Sequence, residues 1–160
     1  VVTVANDASL TTLISRTITG DTLATGTTIE IEAFGSVAAA SGASLTMMWK
    51  VIYGDSMGTG AVLLTMDALI ATNDLDTGWY FKATLQVRDI GSSSSGSIIG
   101  NAFMLGNFAT DHMNPVSKIT AASTILTTGD QVVGLAFIWS AASASNSLTC
   151  QNAYIKVSKR

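Results

Sequence analysis

A chain of 160 residues is long enough for one domain with a real core. Only 12% of it is charged, about half the usual share for a soluble domain, while 48% is hydrophobic. The net charge is −3 and the eight Lys and Arg form no basic stripe, which argues against nucleic acid; no apolar run reaches the length of a membrane span.

So few charges leave little to cover a surface with. Part of the weakly polar surface is therefore expected to be buried against copies of the chain or against a larger assembly. The chain begins at Val1 rather than Met, as a processed protein or a piece of a longer polypeptide would.

Alternation with a period of two, the mark of a half-buried strand, runs through the chain. Strands are predicted at about 10–18 and at 28–37. In the second, TIEIEAFGSV, Ile29, Ile31 and Ala33 share one face while Glu30 and Glu32 share the other. In SLTMMWKVIY, residues 44–53, Leu45, Met47, Trp49, Val51 and Tyr53 form the core face. The opposite face carries Thr46, Met48, Lys50 and Ile52. Met48 and Ile52 are apolar for a solvated face and are candidate subunit contacts.

AVLLTMDALIA, residues 61–71, reads equally as a short strand or as one or two helical turns. The clearest alternation is GWYFKATLQVRD, residues 78–89: Trp79, Phe81, Ala83, Leu85 and Val87 point one way, and Tyr80, Lys82, Thr84, Gln86 and Arg88 the other. Further strands are predicted at about 97–107, 131–139 and 147–157, with a short one near 119–126. In the last long strand Leu148 and Cys150 share one parity and Ala153, Ile155 and Val157 the other, which requires a β-bulge near Gln151–Asn152. Turns rich in Gly, Ser, Asn and Asp separate these runs at roughly ten-residue intervals. The expectation is a single all-β domain over 1–160, an antiparallel two-sheet jelly-roll sandwich of eight to nine strands.

The reactive groups are sparse. His112, the only histidine, sits beside Asp111 in a polar loop, and no nucleophile elbow accompanies it. Glu30 and Glu32 stand two apart on one strand, a solvated pair rather than a glycosidase pair. Asp74 and Asp76 followed by Gly78 form part of a calcium-loop pattern but lack its closing Glu, and turn chemistry accounts for them. Cys150 has no cysteine to pair with and no zinc partner, and is expected to be a small buried side chain. Trp49 and Trp79 share parity with aliphatic neighbours and belong to the core, while Trp139 borders the SAASASN loop. No catalytic residue, metal site or cofactor site is assigned.

Three segments carry a resemblance. They are TTLISRTITGDTLATGTTIEIEAFGSV (11–37), TNDLDTGWYFKATLQVRDIGSSSSGSIIGNAFM (72–104) and IWSAASASNSLTCQNAYIKV (138–157), of which the closing W-S-A-A-S-A-S-N is the most specific. In order and spacing the chain resembles a jelly-roll module of tailed-bacteriophage virion structural proteins, of the capsid-decoration, head-fibre and tail-fibre kind. Segment 105–130 matches less well. The resemblance implies a non-enzymatic module on the particle exterior, without cofactor or active-site residues. Its implied partners are its own copies, as a homotrimer, and capsid or tail proteins of the same virion. The alternative is a carbohydrate- or receptor-binding tip of a tail fibre, with a host surface glycan held by Tyr80 and by Asp74 and Asp76.

Overall fold

The structure is a computed structural model that describes residues 1–38, 46–69, 77–91, 96–106, 116–119 and 123–159. Eleven strands and no helix occur among these residues. They are β1 (Val2–Ala5), β2 (Thr11–Ile18), β3 (Thr28–Ala38), β4 (Thr46–Gly54), β5 (Ala61–Leu69) and β6 (Thr77–Asp89). After them come β7 (Gly96–Gly106), β8 (Val116–Ile119), β9 (Ser123–Ile125), β10 (Gln131–Trp139) and β11 (Ser147–Ser158). The long strands obey the alternation read from the sequence: in β6 every second residue from Trp79 to Val87 is buried.

The strands form two antiparallel sheets. The larger runs β1-β11-β3-β6-β7-β8, and β9 pairs the same edge of β7 beyond the end of β8. The smaller runs β2-β10-β4-β5. Four pairings make this a jelly roll: β1 with β11, β2 with β10, β3 with β6 and β4 with β5. The chain is a long hairpin wrapped over itself, so that successive paired segments alternate between the sheets. Strands β7 to β9 interrupt the returning arm and widen the larger sheet.

The strand count exceeds the expected eight to nine for identifiable reasons. β1 has only four residues and a single buried side chain, Val4, too short a pattern to read. The stretch near 119–126 resolves into β8 and β9. The segment from 61 is strand, not helical turns. A bulge opposite Val51–Ile52 leaves Leu63 unpaired, so Leu63 and Leu64 are both buried and the alternation is masked. The bulge expected near Gln151 is present: the β11–β3 register skips from Cys150 to Asn152.

Between the sheets an aromatic seam crosses the core. Trp79 of the larger sheet meets Trp49 of the smaller at 5.8 Å, Trp49 meets Phe137 edge-on at 5.0 Å, and Phe137 meets Trp139 at 5.0 Å and 88°. These tilted and edge-on contacts suit the ring quadrupoles. The Trp79 indole N–H donates to the Ser36 carbonyl at 3.2 Å, and that of Trp139 to the Val4 carbonyl of the opposite sheet at 3.4 Å. Trp139, which the sequence left at the rim, is thus core, 1% exposed. At the open side of the sandwich Arg16 of β2 reaches over to the Ile155 carbonyl of β11 at 3.1 Å.

The total accessible surface, 7557 Å², equals the roughly 7,550 Å² expected of a compact monomer of this mass. The chain closes its own core. Phe137→Ala should cost about 3–5 kcal/mol of unfolding free energy in a urea titration, because it empties the middle of the seam. A second close fit lies at the β11 bulge, where a Cβ on Gly35 would stand 1.8 Å from the Thr149 carbonyl oxygen. Gly35→Ala should lower the urea midpoint by more than an average surface substitution does, since backbone must move to admit the methyl.

Candidate functional site

With the core closed, the two outer sheet faces are what the fold offers to partners. On the smaller sheet, β10 points Val132, Gly134, Ala136 and Ile138 outward. On one side lie Thr12, Ser15 and Thr17 of β2; on the other lie Met48, Lys50 and Ile52 of β4. The charged residues that the register sets on this face are Lys50 of β4 and Asp67 of β5, the cross-strand partner of Met48.

The two candidate subunit contacts separate here. Met48 is half-buried and open to the surface. Ile52 lies on the same face but is 1% exposed, and it is withdrawn as a contact. The loop after β4 folds back over it: a Cβ on Gly60 would lie 2.8 Å from the Ile52 Cγ2, and one on Gly134 2.6 Å from the Met57 sulfur. Ile52 is covered by its own chain. Its β5 partner Val62, 48% exposed, is the open apolar side chain at that end of the face.

The outer face of the larger sheet has a different chemistry. Cross-strand register sets its side chains in rows. One row runs Asn152, Phe34, Tyr80, Leu105; the next runs Tyr154, Glu32, Lys82, Phe103. A third runs Lys156, Glu30, Thr84, Asn101, and a fourth Ser158, Thr28, Gln86, Ile99. Neighbours within a row are about 4.8 Å apart, and rows about 7 Å apart. Phe34 and Tyr154 are 43% and 45% exposed. Tyr80 is half-buried on the polar face, where its parity places it. Along the third and fourth rows a shallow hollow of about 380 Å³ opens, lined by Thr28, Thr84, Gln86, Ile99, Gly100 and Asn101.

Both carboxylates of this face are engaged. Glu30 lies 3.7 Å from the Lys156 Nζ and Glu32 lies 3.8 Å from the Lys82 Nζ. The Tyr154 hydroxyl donates to Glu32. That hydrogen bond, more than any other interaction, holds the Glu32 carboxyl below the usual carboxylate range; burial opposes it, and the Tyr80 hydroxyl and Lys82 add to it. Seen from the other partner, the same bond pushes the Tyr154 phenol up to about 12. Tyr80 is also raised, first by burial and then by Glu32. An acid held ionised is a poor proton donor at neutral pH, the reverse of what a glycosidase acid needs.

The remaining candidates are quickly placed. Asp74, Asp76, Asp111 and His112 lie outside the described residues. Among the described residues no three His, Cys, Asp or Glu side chains converge to hold a metal ion. Cys150 is 3% exposed, and burial pushes its thiol up, away from the reactive thiolate.

Phe34 and Tyr154 are absent from the sequence-derived candidates, although both were readable. Phe34 follows Glu30 and Glu32 in outward parity, and the Gln151 bulge turns Tyr154 outward with Lys156.

Comparisons of the chain with protein-family models, curated proteins and solved structures find no match.

The tyrosine–carboxylate pair has a measurable consequence. In an NMR titration Glu32 should ionise below an ordinary glutamate, and Tyr154→Phe should return it toward the normal value. The depressed Glu32 contributes stability above its unfolded pKa, lost as the pH falls through the folded one. The raised Tyr154 contributes below about pH 10, and that contribution is lost as the pH rises through about 12. A Glu32 titration indifferent to Tyr154→Phe would show that the hydrogen bond does not persist in solution.

Proposed function

We propose that the chain is a non-enzymatic structural module of a tailed-phage particle, carried on the particle exterior and packed against its own copies as a homotrimer. The observation that carries the reading is the outer face of the smaller sheet. It is apolar or small along all of β10, with charge confined to the flanking strands at Lys50 of β4 and Asp67 of β5. A face of that composition is cheap to desolvate, because few polar groups must give up water.

The jelly roll agrees with the implied module, although a fold alone does not set a function. The self-contained core also agrees: each copy buries its own core residues, which suits assembly by face-to-face contact rather than by lending strands. In a threefold ring the contact is heterologous, with the four-stranded face of one copy meeting a different patch on the next. The capsid or tail proteins of the same virion are the further partners.

Light scattering of the purified chain should give three times the mass of one chain. Ile138→Lys, which buries a lysine in the contact, and Met48→Glu, which sets a carboxylate opposite Asp67, should each reduce it to a monomer with an unchanged circular dichroism spectrum. A wild-type monomer at micromolar concentration would overturn autonomous trimerisation. Absence of the chain from the mass spectrum of purified source particles would overturn its place on the virion.

A further inference from the structure

The outer face of the larger sheet combines three features that belong together. First, it is aromatic but interrupted. Phe34, Tyr80 and Tyr154 occupy neighbouring positions in two adjacent rows; Phe34 and Tyr154 have the cross-strand neighbours Asn152 and Glu32, while Tyr80, between Phe34 and Leu105, hydrogen-bonds Glu32 and has Lys82 two residues along its own strand. A protein-binding core excludes charge from its centre; this surface interleaves charge with rings. Second, its carboxylates are neutralised: each stands beside a lysine, Glu32 with Lys82 and Glu30 with Lys156, and Arg88, which reaches toward Gln86, adds a cation beyond these pairs. Third, the adjoining hollow is lined by hydroxyl and amide side chains and one isoleucine, without a charged group among its described lining. Its volume of about 380 Å³ falls within the roughly 300–1,000 Å³ of small-ligand sites.

We propose that this face binds a neutral oligosaccharide, with one sugar stacked on the Phe34–Tyr80–Tyr154 rings and another, about 14 Å farther along the glycan, seated in the Thr84–Gln86–Asn101 hollow. A pyranose has an apolar C–H face and a rim of hydroxyls. It therefore matches exposed rings bordered by carboxylate, amide and hydroxyl groups. The interleaved carboxylates select against polyanions, which would meet Glu30 and Glu32 as well as the lysines and Arg88. The rings are held in advance: Tyr154 is bonded to Glu32, and every residue of the site stands on a strand rather than a loop. Little order is lost on binding. Of the glycan-contact candidates read from the sequence, the site includes Tyr80; Asp74 and Asp76 lie outside the described residues. The site lies on the sheet opposite the self-association face, so either assignment can fail without the other.

The test is an array of neutral glucose-, mannose-, galactose- and N-acetylglucosamine-based oligosaccharides, with heparin fragments as the anionic control, followed by calorimetry on the full chain with the retained sugars. At least one neutral oligosaccharide should bind. Phe34→Ala and Tyr80→Ala should each weaken it roughly tenfold. Gln86→Ala, which leaves the platform intact, should weaken it less. The thermal midpoint of each variant and the mass by light scattering report folding and assembly separately. Affinity should be nearly flat between about 0.05 M and about 0.5 M salt, as a neutral contact requires. Retention of no neutral sugar, preference for heparin, or undiminished binding by a folded Phe34→Ala, Tyr80→Ala double variant would each overturn the proposal.

Discussion

The structure depends on the contact between Trp49 and Trp79. It is the point where the smaller sheet meets the larger through two of the bulkiest side chains in the molecule, 0% and 3% exposed. Two sheets packed at about 10 Å need large residues to fill the space between them, and Phe137 and Trp139 continue the filling along β10. Once that spacing is set, the facing of every other residue follows from strand alternation. A slip of one residue in β4 or β10 would turn the seam to solvent, so the register is strongly specified. The outer-face side chains take no part in holding the sheets together, and among the described residues the loop after β4 covers only the Ile52–Gly134 end of the smaller face.

The closing strands show how such a core tolerates local irregularity. β11 runs beside both β1 and β3, joining the two ends of the chain, with Val2 opposite Cys150. Midway along, the Gln151 bulge switches which parity faces inward: Leu148 and Cys150 before it, then Ala153, Ile155 and Val157 after it. The tight approach of Gly35 to the Thr149 carbonyl lies at this same place. Both devices serve one end, keeping a long strand in contact with the core on each side of its bend.

These facts also explain what was legible in the sequence. Parity is a local property, so the inward placement of Trp49 and Trp79, the outward placement of Glu30, Glu32 and Tyr80, and even the bulge could be read from neighbours along the chain. Register is not local. That Tyr154 lies beside Glu32, 122 positions away, follows from the wrapping of the roll and from nothing in either segment. The burial of Ile52 was hidden for a related reason: its cover is a folded-back loop whose path alternation does not encode. β5 was ambiguous because a bulge sets two leucines inward in succession, the signature a helix shares. The candidate site is therefore half legible. Its residues carried an outward-facing signal, but their gathering into rows did not.

The inserted strands explain why the larger sheet, rather than the smaller, has a face broad enough to be a site. In the eight paired strands of the roll alone, β6 would be an edge. Its outward residues Tyr80, Lys82, Thr84 and Gln86 would then border solvent on one side. With β7 paired along β6, those residues become central, and Asn101, Phe103 and Leu105 complete the rows. An edge strand invites pairing with another chain, and β7 is itself covered by the short β8 and β9. The insertion thus widens the face while shielding the new edge. It also draws the hydroxyl- and amide-lined hollow together from β3, β6 and β7, three strands that only this topology sets side by side.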